Sequence, residues 1–408
     1  MLSQLRTPLR IWIILFQGFA SGLPFALVGS TLSAWYTQAG VGILSIGFLS
    51  LVGQPYIYKF IWAPLMDRFD PLGLGRRRSW MLITQICLIL SLCMMAQLSP
   101  VQDPLLLPLL ALLTAFFSAS QDVPISAYFT EAATEHERGL AAGFMTIGYR
   151  VAFIITSASA LILAQHFGWK ATYLSMAALM SIGLISTWFT PVLPYKEQHV
   201  HTFKEALLDP FKELWQRLGL KYCALILLVL VTYKLTDALA LALNSMYLLR
   251  TLHFSLTEVG TINKIFGFAA VIIGSLVGGY WMRRLSLFQA LIIFGALQAL
   301  GNITYLWLNS VGHDATVFAV TVFVSNFTNG MGNIAFLALV MSLCNKEFTG
   351  TQYALLSALA AVAPVYIGPL AALLVAHVGW DTYYVITAAA GFVTLSFVPL
   401  IKKVIEVR

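Results

Sequence analysis

The sequence predicts an all-α membrane protein with 12 transmembrane helices in two parallel six-helix repeats. Composition is the first ground. Of the 408 residues, 59% are hydrophobic and 10% charged, where a soluble domain carries about 45–50% apolar and about 25% charged residues. Spacing is the second. The apolar residues fall in blocks of roughly 20, the length that crosses a bilayer as a helix, and in lipid a helix satisfies its own backbone polar groups. The third is an internal repeat. His166-Phe-Gly168-Trp169-Lys-Ala-Thr-Tyr173 returns 211 residues later as His377-Val-Gly379-Trp380-Asp-Thr-Tyr-Tyr384; Gly139 and Gly350 share that offset, and Gly47 and Gly260 stand 213 apart. Gly, Trp and Tyr recurring in register mark a repeat more firmly than Leu and Ala would. These features exclude a soluble protein, a disordered chain and a secreted disulfide scaffold. The net charge of +7 is no nucleic-acid signal here; what matters is where the cations sit.

The expected spans are 11–35, 45–66, 79–98, 104–125, 139–165, 171–190, 222–249, 257–281, 286–308, 314–342, 351–376 and 380–400. The first follows Arg6 and Arg10 as a signal peptide would, but its apolar run is too long for one and reads as a retained span. Pro100, Pro104, Pro191 and Pro194 stand at segment ends, as helix breakers do. Cys87, Cys93, Cys223 and Cys344 have no CxxC spacing and read as small hydrophobes, with no disulfide or metal role. Clusters of Lys and Arg lie before the first span, at 68–78, 138, 196–221, 283–284 and 346, and after the last span. The opposite side holds only Lys170 and Arg250. The positive-inside rule therefore puts both termini and the 191–221 connector in the cytoplasm. The connector carries Phe203, Ala206, Leu207, Phe211, Leu214 and Leu218 between charged residues, the pattern of an amphipathic helix on the inner membrane face. The expected domains are 1–190, 191–221 and 222–408.

The loop after the second span reads Pro64-Leu-Met-Asp67-Arg68-Phe-Asp70-Pro-Leu-Gly-Leu-Gly75-Arg76-Arg77-Arg78. A DR pair followed by glycine and clustered arginines resembles the major facilitator signature between helices two and three. Gly278-Gly279-Tyr-Trp-Met-Arg283-Arg284 is a degenerate copy in the second half. Two parallel six-helix halves are also the architecture of those transporters, with the substrate site at the half–half interface near the midplane. Asp67, Arg68, Arg76, Arg77, Arg78, Arg138 and Arg283 are accordingly expected to form a cytoplasmic gate, the arginines reaching a carboxylate or a helix end. Simple positive-inside charge accounts for the arginines too, less well for the Asp-Arg pair.

Six ionisable residues lie inside spans: Lys59, Asp122, Arg150, Lys234, Asp237 and Lys264. Each costs at least about 2.5 kcal/mol at a bilayer centre, so such residues face a cavity or a partner. Four cations to two acids suit an anionic substrate, with Asp122 and Asp237 as the mid-span carboxyls able to carry a proton. Structural readings stand beside this one. Lys234 and Asp237 are three residues apart on one helix face, Asp122 and Arg150 could pair between helices, and Lys59 could snorkel. Gln54, Gln121, Tyr149, Tyr233, Asn244, Asn263, Asn326, Asn329 and Asn333 add polar groups that suit a sugar or peptide, or that glue helices together. Asn326, Asn329 and Asn333 share one face. There is no Walker loop, dinucleotide fingerprint or HExxH, so no enzyme and no cofactor is expected. His199 and His201 form an HxH that reads as solvated.

The ordered runs Gly18-Phe-Ala-Ser-Gly-Leu-Pro24, Lys59-Phe-Ile-Trp-Ala-Pro-Leu-Met-Asp-Arg68, Ser118-Ala-Ser-Gln-Asp122, Glu137-Arg-Gly139, Gly148-Tyr-Arg150, Tyr233-Lys-Leu-Thr-Asp-Ala238, Asn263-Lys264 and Cys344-Asn-Lys-Glu-Phe-Thr-Gly-Thr-Gln-Tyr-Ala-Leu-Leu-Ser357 cover nearly the whole chain. They resemble the AmpG-type muropeptide permeases. The resemblance implies proton-driven import of N-acetylglucosaminyl-anhydro-N-acetylmuramic acid and its peptides across the bacterial inner membrane by a single chain. It also implies a role in cell-wall recycling and, in some bacteria, in β-lactamase induction. The partners implied are a small anionic solute, the proton and membrane lipid, and no nucleic acid. Asp122 and Asp237 take the proton; Lys59, Gln121, Tyr149, Arg150, Tyr233, Lys234, Asn263, Lys264, Asn326 and Asn329 hold the substrate. Two departures are visible: Ser126 stands where the family pattern has a second acid, and the chain leaves no room for two extra spans that some members carry. A carrier of a different anionic solute, such as a peptide, siderophore or acyl-CoA, is the alternative reading.

Overall fold

The structure is a computed structural model that describes residues 7–132, 138–192, 203–343 and 349–402. His199, His201 and Cys344 lie outside the described residues, as does the side chain of Arg138. The helices are α1 (Thr7–Val28), α2 (Ser30–Gln38), α3 (Ile43–Phe48), α4 (Gln54–Tyr58), α5 (Ala63–Arg68), α6 (Arg76–Met95), α7 (Leu106–Ala132), α8 (Arg138–Ile154), α9 (Ala160–Trp188), α10 (Phe203–Ala242), α11 (Asn244–Met246), α12 (Leu256–Glu258), α13 (Gly267–Trp281), α14 (Leu287–Val311), α15 (Ala315–Leu343) and α16 (Thr349–Phe397). Among the described residues nine helical stretches are long and apolar enough to cross a membrane.

Two of those stretches are too long for one crossing. Ala142–Trp188 runs 47 residues and Ala361–Ile401 runs 41, about 60–70 Å at 1.5 Å per residue, against an apolar core of about 30 Å. Each contains a glycine with left-handed backbone: Gly168 at φ 79° and Gly379 at φ 74°. These are the two glycines of the sequence repeat. Gly219, at φ 76°, likewise divides the connector part of α10 from the apolar part. The segment expected as one span over 45–66 is instead a chain of short pieces, α3, a 3-10 turn, α4, a second 3-10 turn (Lys59–Ile61) and α5. Gly53, Pro55 and Pro64 interrupt it, and proline removes an i→i−4 donor wherever it falls.

The helices gather into two compact units. One comprises Met1–Val41, Val52–Gln198 and Ser255–Gly260; the other comprises Gly42–Leu51, His199–Phe254 and Thr261–Arg408. Each unit thus takes a short segment from the other end of the sequence. In the first, Gln165 Oε1 accepts from the Leu256 N–H at 3.2 Å. In the second, Ser50 Oγ donates to the Val365 carbonyl at 2.7 Å. That carbonyl lies four residues before Pro369 inside α16, so it has no intrahelical N–H, and the serine replaces the missing donor.

The first unit repeats this device. Pro24 inside α1 leaves the Ala20 carbonyl without its helical donor, and Gln121 Nε2 on α7 supplies one at 2.7 Å. Nearby, α1 and α8 meet along glycines. A Cβ at Gly18 would lie 2.2 Å from the Met145 carbonyl oxygen, at Gly22 2.5 Å from that of Tyr149, and at Gly148 2.0 Å from that of Leu15. Only backbone without side chains packs this closely, as small residues allow in membranes.

The repeat extends to side-chain packing. Trp169 stacks on Trp35 and Tyr173 packs against Trp35, with ring centroids 5.5 and 5.1 Å apart. At the matching positions Trp380 and Tyr384 pack on Tyr247 at 4.9 and 5.1 Å. Tyr173 donates its hydroxyl to the Leu27 carbonyl; in the second unit the corresponding bond to the Leu239 carbonyl comes from Tyr383, one residue before the matching position. The core of the second unit is built by Ile226, Leu230, Tyr233, Leu291, Phe294, Met331 and Leu339.

Candidate functional site

In the first unit the polar centre is Asp122 on α7. Its Oδ1 accepts from Ser21 Oγ at 2.6 Å, and its Oδ2 faces Lys59 Nζ at 3.4 Å. Lys59 opens the 3-10 turn of the broken span, and that break sets its ammonium beside α7. Asp122 and Lys59 therefore form the ion pair, across helices. Tyr56 and Tyr149 sit close enough for their hydroxyls to feel the Asp122 charge. Tyr149 is half-buried and Arg150 exposed on α8. Gln121 is fully buried, its amide nitrogen committed to Ala20. Trp62 Nε1 donates to Ser120 Oγ at 2.9 Å. Ser126 is exposed on α7.

A closed ring of neutral bonds stiffens the same unit. Gln17 Nε2 donates to Thr187 Oγ1 at 2.8 Å, Thr187 donates to Gln85 Oε1 at 2.7 Å, and Gln85 Nε2 donates to Gln17 Oε1 at 3.3 Å. All three residues are buried, so the ring ties α1, α6 and α9 together.

In the second unit Lys234 and Asp237 turn to different partners. Lys234 Nζ donates to Asn333 Oδ1 and lies 4.8 Å from the Phe336 ring centroid, a cation–π contact. Asn333 Nδ2 in turn donates to Asn329 Oδ1 at 2.9 Å. Asp237 Oδ1 accepts from Gln298 Nε2, with Asn329 beside it. Tyr233 is buried and stacks on Phe336 at 5.9 Å. Asn326 Nδ2 is spent on the Val322 carbonyl at 2.8 Å. Asn263, which is buried, and Lys264, which is half-buried, lie on a π-helical turn, Val259–Phe266. Such turns insert one residue and recur at functional sites.

The arginine loop between α5 and α6 is closed by Asp67 and Asp70. Arg77 pairs with the Asp67 carboxylate and Arg76 donates to the Asp67 carbonyl. Arg78 Nη2 donates to the Trp188 carbonyl at the end of α9 at 2.7 Å, with its guanidinium 5.2 Å from the Trp188 ring centroid. A cation there also complements the helix dipole. Asp70 accepts from the Gly73 and Gly75 N–H groups at 3.0 and 2.9 Å and from Ser79 Oγ. Slight burial alone would raise its pKa, but the bonds from Ser79, Gly75, Gly73 and Leu72 outweigh it and hold the carboxyl below its ordinary value. Arg68 is exposed, and Arg283 lies 5.9 Å from the Tyr280 ring.

Ser21, Gln298 and Phe336 are not among the residues expected from the sequence, and Asn333 is expected only as one of the polar groups inside the spans. Gln298 and Asn333 carried a signal, an amide inside an apolar span. Ser21 carried little, because a small hydroxyl between glycines reads as packing.

Apolar spans enclosing paired and amide-bound charges are the make-up of a membrane transport protein. The Major Facilitator Superfamily model matches residues 14–366 and 225–406. The chain is 42% identical to the anhydromuropeptide permease of Escherichia coli over 97% of this chain and 80% of that protein. It is 32% identical to an uncharacterized protein of Haemophilus influenzae over 97% and 95%. In fold it resembles the crystal structure of the nucleoside transporter NupG, with a TM-score of 0.72 and 15% identity over 97% of this chain and 99% of that one. The chain belongs to the Major Facilitator Superfamily and, within it, to the anhydromuropeptide permease (AmpG) family.

Proposed function

We propose that this transporter imports anhydro-muropeptides across the bacterial inner membrane by proton-coupled alternating access, as a single chain with both termini in the cytoplasm. On this reading it crosses the membrane twelve times. The nine long stretches become eleven when Gly168 and Gly379 each end one crossing and begin the next, and the broken segment α3 to α5 is the twelfth. Residues 1–190 and 222–408 are the two repeats, and 191–221 is the connector.

The observation that carries the reading is the Asp122–Lys59 pair inside an apolar span. Asp122 is the proton carrier. When it takes a proton, the Lys59 ammonium loses its counter-charge and becomes available to an anionic solute. Protonation and anion binding then favour each other, which is the linkage a symporter needs. Arg150 is a further cation of the first unit; in the second, Lys264 is a cation, and the amides of Asn263 and Asn329 suit N-acetyl and peptide groups. Asp237, held by Gln298, anchors the second unit's polar network. Asp67, Arg68, Arg76, Arg77, Arg78, Arg138 and Arg283 form the cytoplasmic gate.

The test is uptake of labelled GlcNAc-anhydroMurNAc into right-side-out vesicles with and without a proton gradient. Accumulation that collapses with an uncoupler supports the reading. Absence of uptake in both conditions removes the substrate assignment. The second reading, a carrier of another anionic solute, is favoured by Ser126 in place of the family's second acid, and a screen of anionic conjugates in the same vesicles addresses it.

A further inference from the structure

We propose that Ser21 is a positioning residue for Asp122, aiming its carboxyl and serving as its hydrogen-bond partner whether or not the carboxyl carries the proton. The inference rests on Asp122 being the proton carrier of the proposed import. Of the Ser21 and Lys59 contacts to Asp122, the Ser21 hydroxyl is the short one, at 2.6 Å. Lys59 stands at 3.4 Å with a side chain 39% exposed, longer than the about 2.7–2.9 Å of a charge-assisted bond. Ser21 itself is 6% exposed, so no bulk water competes for its hydrogen.

The backbone beneath Ser21 is fixed from two sides. Gly18 and Gly22, three residues before it and one after, seat α1 against the carbonyls of Met145 and Tyr149 on α8. Gln121, next to Asp122 on α7, clasps the carbonyl of Ala20, next to Ser21 on α1. Neither helix can slide without breaking one of these contacts, so Oγ is delivered to the carboxylate by the register of three helices. The other charged or titratable groups facing Asp122 are Lys59 from the 3-10 turn, Tyr56 from α4 and Tyr149 from α8, with Arg150 one residue further on.

A hydroxyl that donates to a carboxylate favours its ionised form. It also has two acceptor lone pairs and a rotating hydrogen, so the protonated carboxyl can donate back to Ser21 in the same place. Ser21 therefore partners both protonation states, and the carboxyl need not move to exchange its proton. Lys59 is left as the partner that is released.

The experiment is the external-pH profile of gradient-driven anhydro-muropeptide uptake at fixed internal pH, normalised to the amount of transporter in the vesicles. Ser21→Ala, which removes the hydroxyl that favours the ionised carboxylate, should move the half-maximal point on the alkaline side up by about one unit. Ser21→Thr, which keeps the hydroxyl, should restore the wild-type profile. Ser21→Cys, a weak donor, should fall between, and serves if the alanine variant does not insert. An unshifted profile, or the same fractional loss at every pH, overturns the inference. Asp122→Asn separates the two levels: if it still accumulates substrate uphill, or if the wild type takes up none, the coupling assignment and this inference fall together. If Asp122→Asn is inactive while Ser21→Ala keeps the wild-type profile, only the role of Ser21 falls.

Discussion

Asp122 and Asp237 have the same side chain and different company. One shares a hydroxyl and a half-exposed ammonium; the other accepts from a buried amide. If Asp122 alone carries the proton, Asp122→Asn abolishes uphill uptake, while Asp237→Asn keeps gradient dependence and loses only part of the rate; uptake assays on both variants decide this. Asp70 allows a second prediction at this scale. Its carboxyl is held below the usual range, so its bonds stabilise the arginine loop fully above the ordinary carboxylate pKa of about 3.9. That stabilisation is lost as pH falls through the lower value in the folded loop. Amide exchange at Gly73 and Gly75, corrected for intrinsic rate, should be flat from neutral pH down to about 4 and rise below it. Asp70→Asn should exchange faster throughout.

At the scale of elements, proline and glycine do most of the shaping. Gln121→Ala orphans the Ala20 carbonyl in a dry interior, at about 1–3 kcal/mol. Restoring the helical N–H with Pro24→Ala should recover much of that loss, so thermal unfolding of the two single variants and the double variant should be non-additive. Additive losses would mean that the glutamine does not serve the proline-freed carbonyl. The glycines divide into two kinds. Gly168→Ala and Gly379→Ala meet no atom within 4 Å and suffer only the positive-φ extended backbone that glycine alone adopts readily, about 1–3 kcal/mol. Gly148→Ala has ordinary backbone but drives a methyl into the Leu15 carbonyl at 2.0 Å and should be the most destabilising of the three, with the largest drop in melting temperature.

At the scale of the whole molecule, topology is the testable quantity. With native cysteines replaced, a cysteine at Leu72 should react with a membrane-impermeant reagent only from the cytoplasmic face, and one at Gln102 only from the periplasmic face. Labelling of both from one side would refute the twelve-span count and its orientation.

The sequence by itself determined that this is a helical membrane protein, where most of its apolar stretches lie, that a Gly-Trp-Tyr pattern recurs 211 residues on and which family it belongs to. Those properties follow from composition and period, because lipid imposes length and apolarity locally on each segment. The repeated Gly168 and Gly379 are also the positions at which two long helical stretches leave helical backbone. The broken segment between Ile43 and Arg68 was less legible, since an apolar block looks the same whether it is one helix or five short pieces. Only the tertiary structure decided which charges meet. Lys234 and Asp237 are neighbours on one face, yet each turns to an amide on another helix, and Asp122 meets Lys59 from 63 residues away. Partner choice depends on helix register and separation, and these are set by the glycine seams and proline-freed carbonyls acting between segments, which no local pattern in the chain encodes.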